Sequence, residues 1–522
     1  MRLLNKVIMV CALLALAVPN AFAVQKLTAD IVVVGGGLSG LSAALTAVRG
    51  GASVIVFEKL PGLGGAGNYP EGSTGVGTRM QAKAGYNVTV QQVFDAAIDF
   101  HHWRANAAVL KELLANSGKT IDDIEDMGVE FKGIKTMFPE EKSLHIWHCY
   151  KNNGASVVRA MQKEIYAKGG RIFLETPVTK LMTDKSGRVT GVYATDTAYG
   201  EKYEATAKGG VIIATGGFPT NKNMLKDYVS DSSGEGMLEP IFLRGPMLDG
   251  RNGDGINMAK NAGAGLAGMQ AVAGNAPYLF DKVNPLIRQF NGADSLKQTR
   301  TALSQPFLWV NQTGDRFYNE SQGSSFTNVY NAMTSNGGVM YSIFDESMKQ
   351  KMITSGPLTP FNAIVVVGQK MTELDHGIEN GIKQGYAFKA DTLDELAKKI
   401  GVDANHLKAS VSNVNKFAAN KKDTEWGRKP EHLFAFQDQG PYYALKGIRA
   451  FFLTLGGVKI NTEFQALSTH GQPVKGLYVT GQDMGGLYDS SYDLLVEGSA
   501  SGFALTSGRL AAQNIIKNEL GR

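Results

Sequence analysis

An α/β fold built on a parallel sheet is predicted by three stretches of this sequence. The first, Asp30-Ile-Val-Val-Val-Gly35, is an apolar run of the kind buried on both faces of a parallel sheet. It leads at once into Gly35-Gly36-Gly37-Leu38-Ser39-Gly40 and a helical stretch through Arg49. The second, Ser53-Val-Ile-Val-Phe-Glu58, is a strand whose last residue is an acid 18 positions beyond Gly40. The third, Gly210-Val-Ile-Ile-Ala214-Thr215-Gly216-Gly217, is another buried strand closing in a glycine turn. Strand, glycine turn, helix and strand in that order begin a doubly wound unit.

Each element has a physical reason. Gly35, Gly37 and Gly40 fall in the G-x-G-x-x-G spacing of a dinucleotide site. Gly35 permits the tight turn, Gly37 lets a pyrophosphate approach the backbone, and Gly40 lets helix and strand pack closely. The helix N-terminus at this loop stabilises phosphate charge. Glu58 can accept hydrogen bonds from an adenosine ribose, although alone it would read as a solvated strand end. Gly62-Leu-Gly64-Gly65-Ala66-Gly67 offers backbone donors to a second phosphate or a ring. Later, Asn252-Gly253-Asp254-Gly255 opens a helical stretch. Gly476-Leu-Tyr478-Val-Thr480-Gly481-Gln482-Asp483 runs from strand to turn, ahead of a helix-like segment from Gly498 to Ile516.

A chain of 522 residues exceeds the roughly 250–300 residues at which single cores stop growing, so several domains are expected. Hydrophobic residues at 43% and charged residues at 19% suit a globular protein. Its 62 glycines, about 12%, exceed the usual roughly 7% and imply many tight turns. Arg2 and Lys6, the apolar stretch Val7 to Val18, and Ala21-Phe22-Ala23 match a secretory signal cleaved after Ala23, which predicts a periplasmic mature chain. No comparable run follows, so membrane insertion of the mature chain is not expected. Losing Arg2 and Lys6 takes the net charge from +5 to +3, too little to call for nucleic acid or an anionic membrane. Cys149 alone survives cleavage, so no intramolecular disulfide is expected. Without a Cys-x-x-Cys-His sequence or cysteine cluster, any one-electron carrier belongs to another chain. His145-Ile-Trp-His148-Cys149 is too short to make a metal centre alone, so no metal is expected. His101-His102-Trp103 reads as a partly exposed helix face, and residues 391–419 as amphipathic packing helices.

Taken together, the Gly35 to Gly40 loop with Glu58, Ala214-Thr215-Gly216-Gly217, Gly253-Asp254-Gly255 and the late Gly476 to Gly481 segment resemble the FAD-binding flavoprotein subunits of fumarate reductase and succinate dehydrogenase, periplasmic flavocytochromes c among them. The resemblance covers nearly all of the mature chain. It implies a discontinuous Rossmann-like FAD-binding domain, residues 24–270 and 453–522, with an α+β capping domain inserted at 271–452. Cofactor contacts are implied for Gly35, Gly37, Leu38, Ser39, Gly40, Glu58 and Lys59, and for Gly64, Gly65, Ala66, Gly67 and Ser73. Others are implied for Val178, Ala214, Thr215 and Gly216, with Gly481 and Gln482 approaching the flavin and Asp254 near its ring. Ser499 and Ala500 would present a helix N-terminus to the pyrimidine side, favouring the anionic reduced flavin. Family members with covalent flavin carry a histidine just after the glycine loop. Gly64 to Gly77 contains none, so non-covalent FAD is expected.

The cap is marked by Trp309-Val-Asn311-Gln-Thr-Gly314-Asp-Arg316-Phe317-Tyr-Asn319-Glu320, similar to the family's V-N-x-x-G-x-R-F-x-N-E and read as strand, turn and strand. Arg316 and Glu320 read as a structural ion pair. The family's catalytic groups are missing. No arginine follows the marker in Ser321 to Phe326, Leu453 stands where a histidine precedes the T-x-G-G turn, no histidine occurs in Met269 to Gly274, and Gly485 to Gly508 has no Arg or Lys. A dicarboxylate there would be poorly paired, so fumarate is not the expected substrate. In their place stand Tyr488-Asp-Ser-Ser-Tyr492 and, upstream, Arg300. Tyr492 or Tyr488 can donate a proton to a carbon under reduction or hydrogen-bond a polarised carbonyl. Packed aromatics and a surface arginine are the plain alternatives. The sequence thus reads as an FAD-dependent oxidoreductase acting on CH–CH groups, reducing an activated C=C bond of enoate, enone or aryl-acrylate type. Hydride would come from flavin N5, and electrons from a separate carrier such as a periplasmic multihaem cytochrome, in anaerobic electron transfer. A dehydrogenase of ketosteroid-dehydrogenase type and a non-catalytic flavin-binding carrier stay open as alternatives.

Overall fold

A computed structural model describes residues 24–136, 143–229, 239–240, 250–282, 289, 292–360 and 365–522. The signal segment read at residues 1–23 lies outside them. Among the described residues an eight-stranded sheet forms the first layer. Its parallel centre runs Pro473–Val479, Lys202–Ile213, Gln25–Val34, Val54–Phe57 and Arg171–Phe173, with Val32 aligned to Val211 on one side and Ile55 on the other. Ile31, Val32 and Val33 are fully buried, the reason their stretch is apolar without alternation. Lys202–Ile213 lies between Gln25–Val34, near the start of the described residues, and Pro473–Val479, near their end, so the first layer is discontinuous in sequence.

The helix Leu38–Arg49 follows the first strand, and the last helix, Ser499–Asn514, packs directly on it. Two glycines set the closeness of approach. A Cβ at Gly40 would lie 1.9 Å from Gly35 O, and one at Gly508 would lie 2.0 Å from Ser39 O, both on backbone that cannot step aside. Gly508→Ala is therefore expected to cost about 1–3 kcal/mol through overpacking, seen as a lower midpoint of urea unfolding.

A second sheet is organised around the long strand Tyr442–Thr454, which pairs antiparallel with Val272–Leu279, Val339–Asp345 and Ala387–Ala390. Leu308–Val310 extends it beyond Val339–Asp345. Tyr442–Thr454 also ties the two layers together, because Phe218 N, just after the Ala214–Gly217 turn, donates to Thr454 Oγ1 at 3.1 Å.

The Trp309 to Glu320 marker folds as one strand, a turn and a single bridge between Val310 and Arg316; the second strand read from the sequence does not form. Side-chain chemistry replaces it. Arg316 Nη2 lies 2.7 Å from Glu320 Oε2 and 2.7 Å from Asp423 Oδ2, and Arg428 Nε lies 3.2 Å from Glu320 Oε2. Residues 391–419 do form helices, Leu393–Ile400 and Ala404–Asn420.

His101 departs from its reading as part of an exposed face. It caps the C-terminus of Val90–Phe100, is buried, and packs edge-on against Tyr488, while His102 stays exposed. His148 is consumed by Thr78 Oγ1 at 2.8 Å and Ile146 O at 2.9 Å, and burial pushes its pKa down to about 4. No group of three or more metal-ligating side chains occurs among the described residues.

Candidate active site

A cavity of roughly 510 Å³ runs from the C-terminal ends of the parallel strands to the second sheet. At one end stands Glu58. Its Oε2 accepts from Gly36 N at 2.7 Å and its Oε1 from Leu60 N at 2.8 Å, which fixes the carboxylate while leaving lone pairs for a ribose. Burial raises its pKa, and these two backbone donors work against that rise. Lys59 Nζ bonds Asp254 Oδ2 at 2.5 Å and Asn252 Oδ1 at 2.7 Å. Asp254, expected near the ring, lines the cavity paired with Lys59, at the start of the helix Asp254–Asn261, whose Gly255 N donates to Thr215 Oγ1 at 3.2 Å.

In the middle, Gly37 caps the helix Leu38–Arg49 without any side-chain bond, leaving the first-turn N–H groups to serve a ligand. A Cβ on Gly37 would meet nothing closer than Gly64 O at 3.9 Å, so the glycine keeps a cradle open. Gly64, Gly65, Ala66 and Gly67 line the same wall, with Leu38, Ser39, Val178, Ala214, Thr215 and Gly216 around it. Opposite them, Asp483 is fully buried. It accepts from Thr215 N, from Gly217 N at 2.9 Å, from Gly216 N at 3.2 Å and from Thr215 Oγ1 at 3.0 Å, locking the two glycine turns together. Gly481, Gln482 and Ala500 line the cavity; Ser73 and Ser499 do not. Ser73 is held behind the wall by Tyr150 and Ser501.

The far end is aromatic. Tyr278, Phe326, Phe452 and Tyr492 line it together with Leu453, Leu494, Asn275 and Arg251. The Phe452 ring meets Tyr492 edge-on at 5.8 Å and Phe326 at 6.4 Å. Tyr492 sits above the N-terminus of the last helix, where Ala500 N donates to its hydroxyl at 3.1 Å and Ser499 Oγ donates at 3.0 Å. Tyr488, off the cavity, donates to Ser499 Oγ at 3.1 Å. Burial raises the pKa of both tyrosines, so both remain protonated at neutral pH. Burial also pushes Asp493, one residue on, up to about 7.

Arg300 is neither on the surface nor on the cavity wall. It is buried behind Tyr278, its guanidinium 5.3 Å from that ring, with Nη2 bonded to Pro277 O at 3.1 Å and Nη1 to Ser304 Oγ at 3.3 Å. Asn275, Tyr278, Phe452 and Arg251 were not singled out from sequence. Asn275 and Tyr278 lie just past Gly274, on the strand that follows the Met269-Gln270 pair, and distance along a strand was the signal that could have found them.

Comparison with known proteins agrees with this geometry. The family model described as FAD binding domain matches residues 30–495. A vinyl phenol reductase of Lactiplantibacillus plantarum is 32% identical over 485 residues, covering 92% of this chain and 94% of that protein. An NADH:acrylate oxidoreductase of Vibrio harveyi is 28% identical over 550 residues, covering 93% of this chain and 50% of that longer protein. The open conformation of a flavocytochrome c3 fumarate reductase superposes with a TM-score of 0.66 at 24% identity, covering 99% of this chain and 81% of that one. A glycine cradle at a bare helix N-terminus, a fixed carboxylate at one end and an aromatic chamber at the other fit FAD, and the chain belongs to the FAD-binding-domain family of fumarate-reductase-like flavoprotein oxidoreductases.

Proposed function

We propose that this protein reduces an activated carbon–carbon double bond on a conjugated, aromatic-compatible substrate, with Tyr492 as the proton donor. One observation carries the reading: the Tyr492 hydroxyl, on the cavity wall, already accepts hydrogen bonds from Ser499 Oγ and Ala500 N. A hydroxyl has one proton to give, and with both neighbours donating to its oxygen that proton is available to a molecule in the chamber. The cradle at Gly37 and Gly64 to Gly67 would hold FAD, which in its reduced form would supply the hydride for the electrophilic carbon. Tyr492 gives its proton to the neighbouring carbon, and the two donors stabilise the phenolate left behind. Tyr488 and Ser499 form the row of hydroxyls through which that proton is restored.

Phe326, Phe452 and Tyr278 exclude water and offer faces and edges to a flat substrate. Vinyl phenol and acrylate, named for two relatives, are both activated alkenes, which supports the same class here. Electrons come from a separate carrier, a reading supported by the sequence, which holds no Cys-x-x-Cys-His haem-attachment motif. The chain is exported and cleaved after Ala23, a reading supported by Arg2, Lys6 and the apolar stretch Val7 to Val18. FAD is non-covalent, so acid precipitation is expected to leave all flavin absorbance in the supernatant; flavin in the pellet would show a covalent link.

The test is viologen-linked turnover without oxygen on aryl alkenes, enones and enoates, with products weighed by mass spectrometry. The expected product carries two added hydrogens. Recovery of every alkene unchanged, or oxidation of saturated ketones by dye instead, would overturn the reductive reading.

A further inference from the structure

Arg251 is a buried cation with no acid partner among the described residues. It is 8% exposed, and neither its Nε nor its Nη2 has a partner among the described residues. Nη1 makes only a long contact, 3.5 Å, with Phe452 O. The nearby acids are engaged: Asp254 with Lys59, Glu58 with Gly36 N and Leu60 N, and Asp483 with the Thr215 turn. Burial lowers its pKa to about 10, which still leaves it charged at neutral pH. An uncompensated buried charge costs several kcal/mol, so it persists where a ligand brings the opposite charge.

Its placement says which ligand. The side chain leaves the turn before Asp254, and its Cγ and Cδ run against Gly216, where even a Cβ would come within 3.1 Å. From there the guanidinium reaches the backbone of Phe452, whose ring touches Tyr492. Its backbone starts beside Lys59, which a Cβ at Gly250 would meet at 2.9 Å, and the guanidinium reaches from there toward the aromatic end of the cavity, whereas the cradle for pyrophosphate is the bare helix N-terminus at Gly37. Nε and Nη2 form one edge of the planar guanidinium, two parallel donors that match the two oxygens of a carboxylate. A phenolate has one oxygen and a ketone no charge, and neither satisfies that edge. Asn275 adds a second polar group on the same chamber, with its buried Oδ1 unpartnered.

Resting on the reductive reading above, we propose that Arg251 receives the carboxylate of the substrate, which makes that substrate an α,β-unsaturated carboxylic acid, in this chamber an arylacrylate, rather than a neutral vinylarene or enone. The carboxylate charge would be paired by Nε and Nη2 of Arg251, with the double bond within reach of Tyr492.

The experiment uses oxidised FAD-loaded protein and reads ligand binding from the flavin difference spectrum and from calorimetry, so it does not depend on turnover. The probes are cinnamate and cinnamamide, matched in shape and differing in charge. Wild type is expected to bind cinnamate about 100-fold more tightly than cinnamamide, and Arg251→Met to lose about that factor for cinnamate alone while keeping its FAD. Arg251→Lys should keep part of the preference, as a charge without the fork. Equal binding of the two probes by wild type, an equal loss for both in Arg251→Met, or loss of FAD from Arg251→Met would overturn the assignment; the wild-type comparison decides even if the variant does not fold. Carboxylate selectivity without any alkene reduction would sink the reductive reading and leave Arg251 as an acid receptor.

Discussion

Tyr492→Phe is expected to lower kcat by about 10²–10⁴-fold with FAD retained and KM little changed, because the substitution removes one proton donor and almost no volume. The magnitude follows from position. Tyr492 is 5% exposed and shares its oxygen with Ser499 and Ala500 N, so no bulk water stands ready to replace it. Burial raises its pKa, while the hydrogen bonds from Ser499 and Ala500 act in the opposite sense. The donor form is therefore populated across neutral pH, and activity dependent on it falls only in alkali, above the ordinary tyrosine value of ~10. Ser499→Ala should give a smaller loss, since it removes one of the two donors to the Tyr492 oxygen and the link to Tyr488. A Tyr492→Phe enzyme within threefold of wild type in kcat would place the proton donor elsewhere.

The second large effect is on stability. Glu320→Ala is expected to destabilise the protein by about 3–5 kcal/mol, the range for breaking a buried ion pair by removing one partner. Glu320 is fully buried and accepts from Arg316 Nε at 2.9 Å and Nη2 at 2.7 Å and from Trp309 N at 3.1 Å, with Arg428 Nε also near. Its removal leaves Arg316 with Asp423 and the more exposed Glu425, and takes from the Arg428 guanidinium its carboxylate, leaving it the Pro306 and Phe307 carbonyls. Urea unfolding measures the effect, and a change below about 1 kcal/mol, the usual worth of an exposed pair, would contradict it. Asp423 adds a pH dependence. Burial would raise its pKa, but Arg316 and the backbone donors of Arg428 and Glu425 outweigh that and hold it well below the usual carboxylate range. Its contribution is fully present above the unfolded value of ~3.9 and is lost as pH falls toward the depressed folded value.

The nucleotide-binding half of the molecule was legible in sequence because backbone geometry dictates it. The glycines at 35, 37 and 40 are required by turn, approach and packing, and each leaves a local mark at a fixed spacing. Asp483 was visible as a residue but not as a lock, since its partners lie about 267 positions away. The aromatic end was read less well. Tyr492 stands where cations are missing from a recognisable loop, which marks it in the sequence, and it lines the cavity. Arg300 looked like the nearest cation to the lost one, yet the helix Asp294–Leu303 turns it behind Tyr278. Arg251 leaves no mark in the sequence, where its neighbours Gly253-Asp254-Gly255 account for the stretch, and only the fold sets it on the cavity wall with no acid partner among the described residues.

Single-turnover reoxidation of the dye-reduced, FAD-loaded protein, followed by flavin absorbance under strict exclusion of oxygen, tests the central claim most directly. The account predicts fast reoxidation by an aryl-conjugated alkene, slowed about 10²-fold or more in Tyr492→Phe, and no comparable reoxidation by fumarate. Reoxidation by fumarate at the same rate, or by no alkene at all while FAD stays bound, would contradict it.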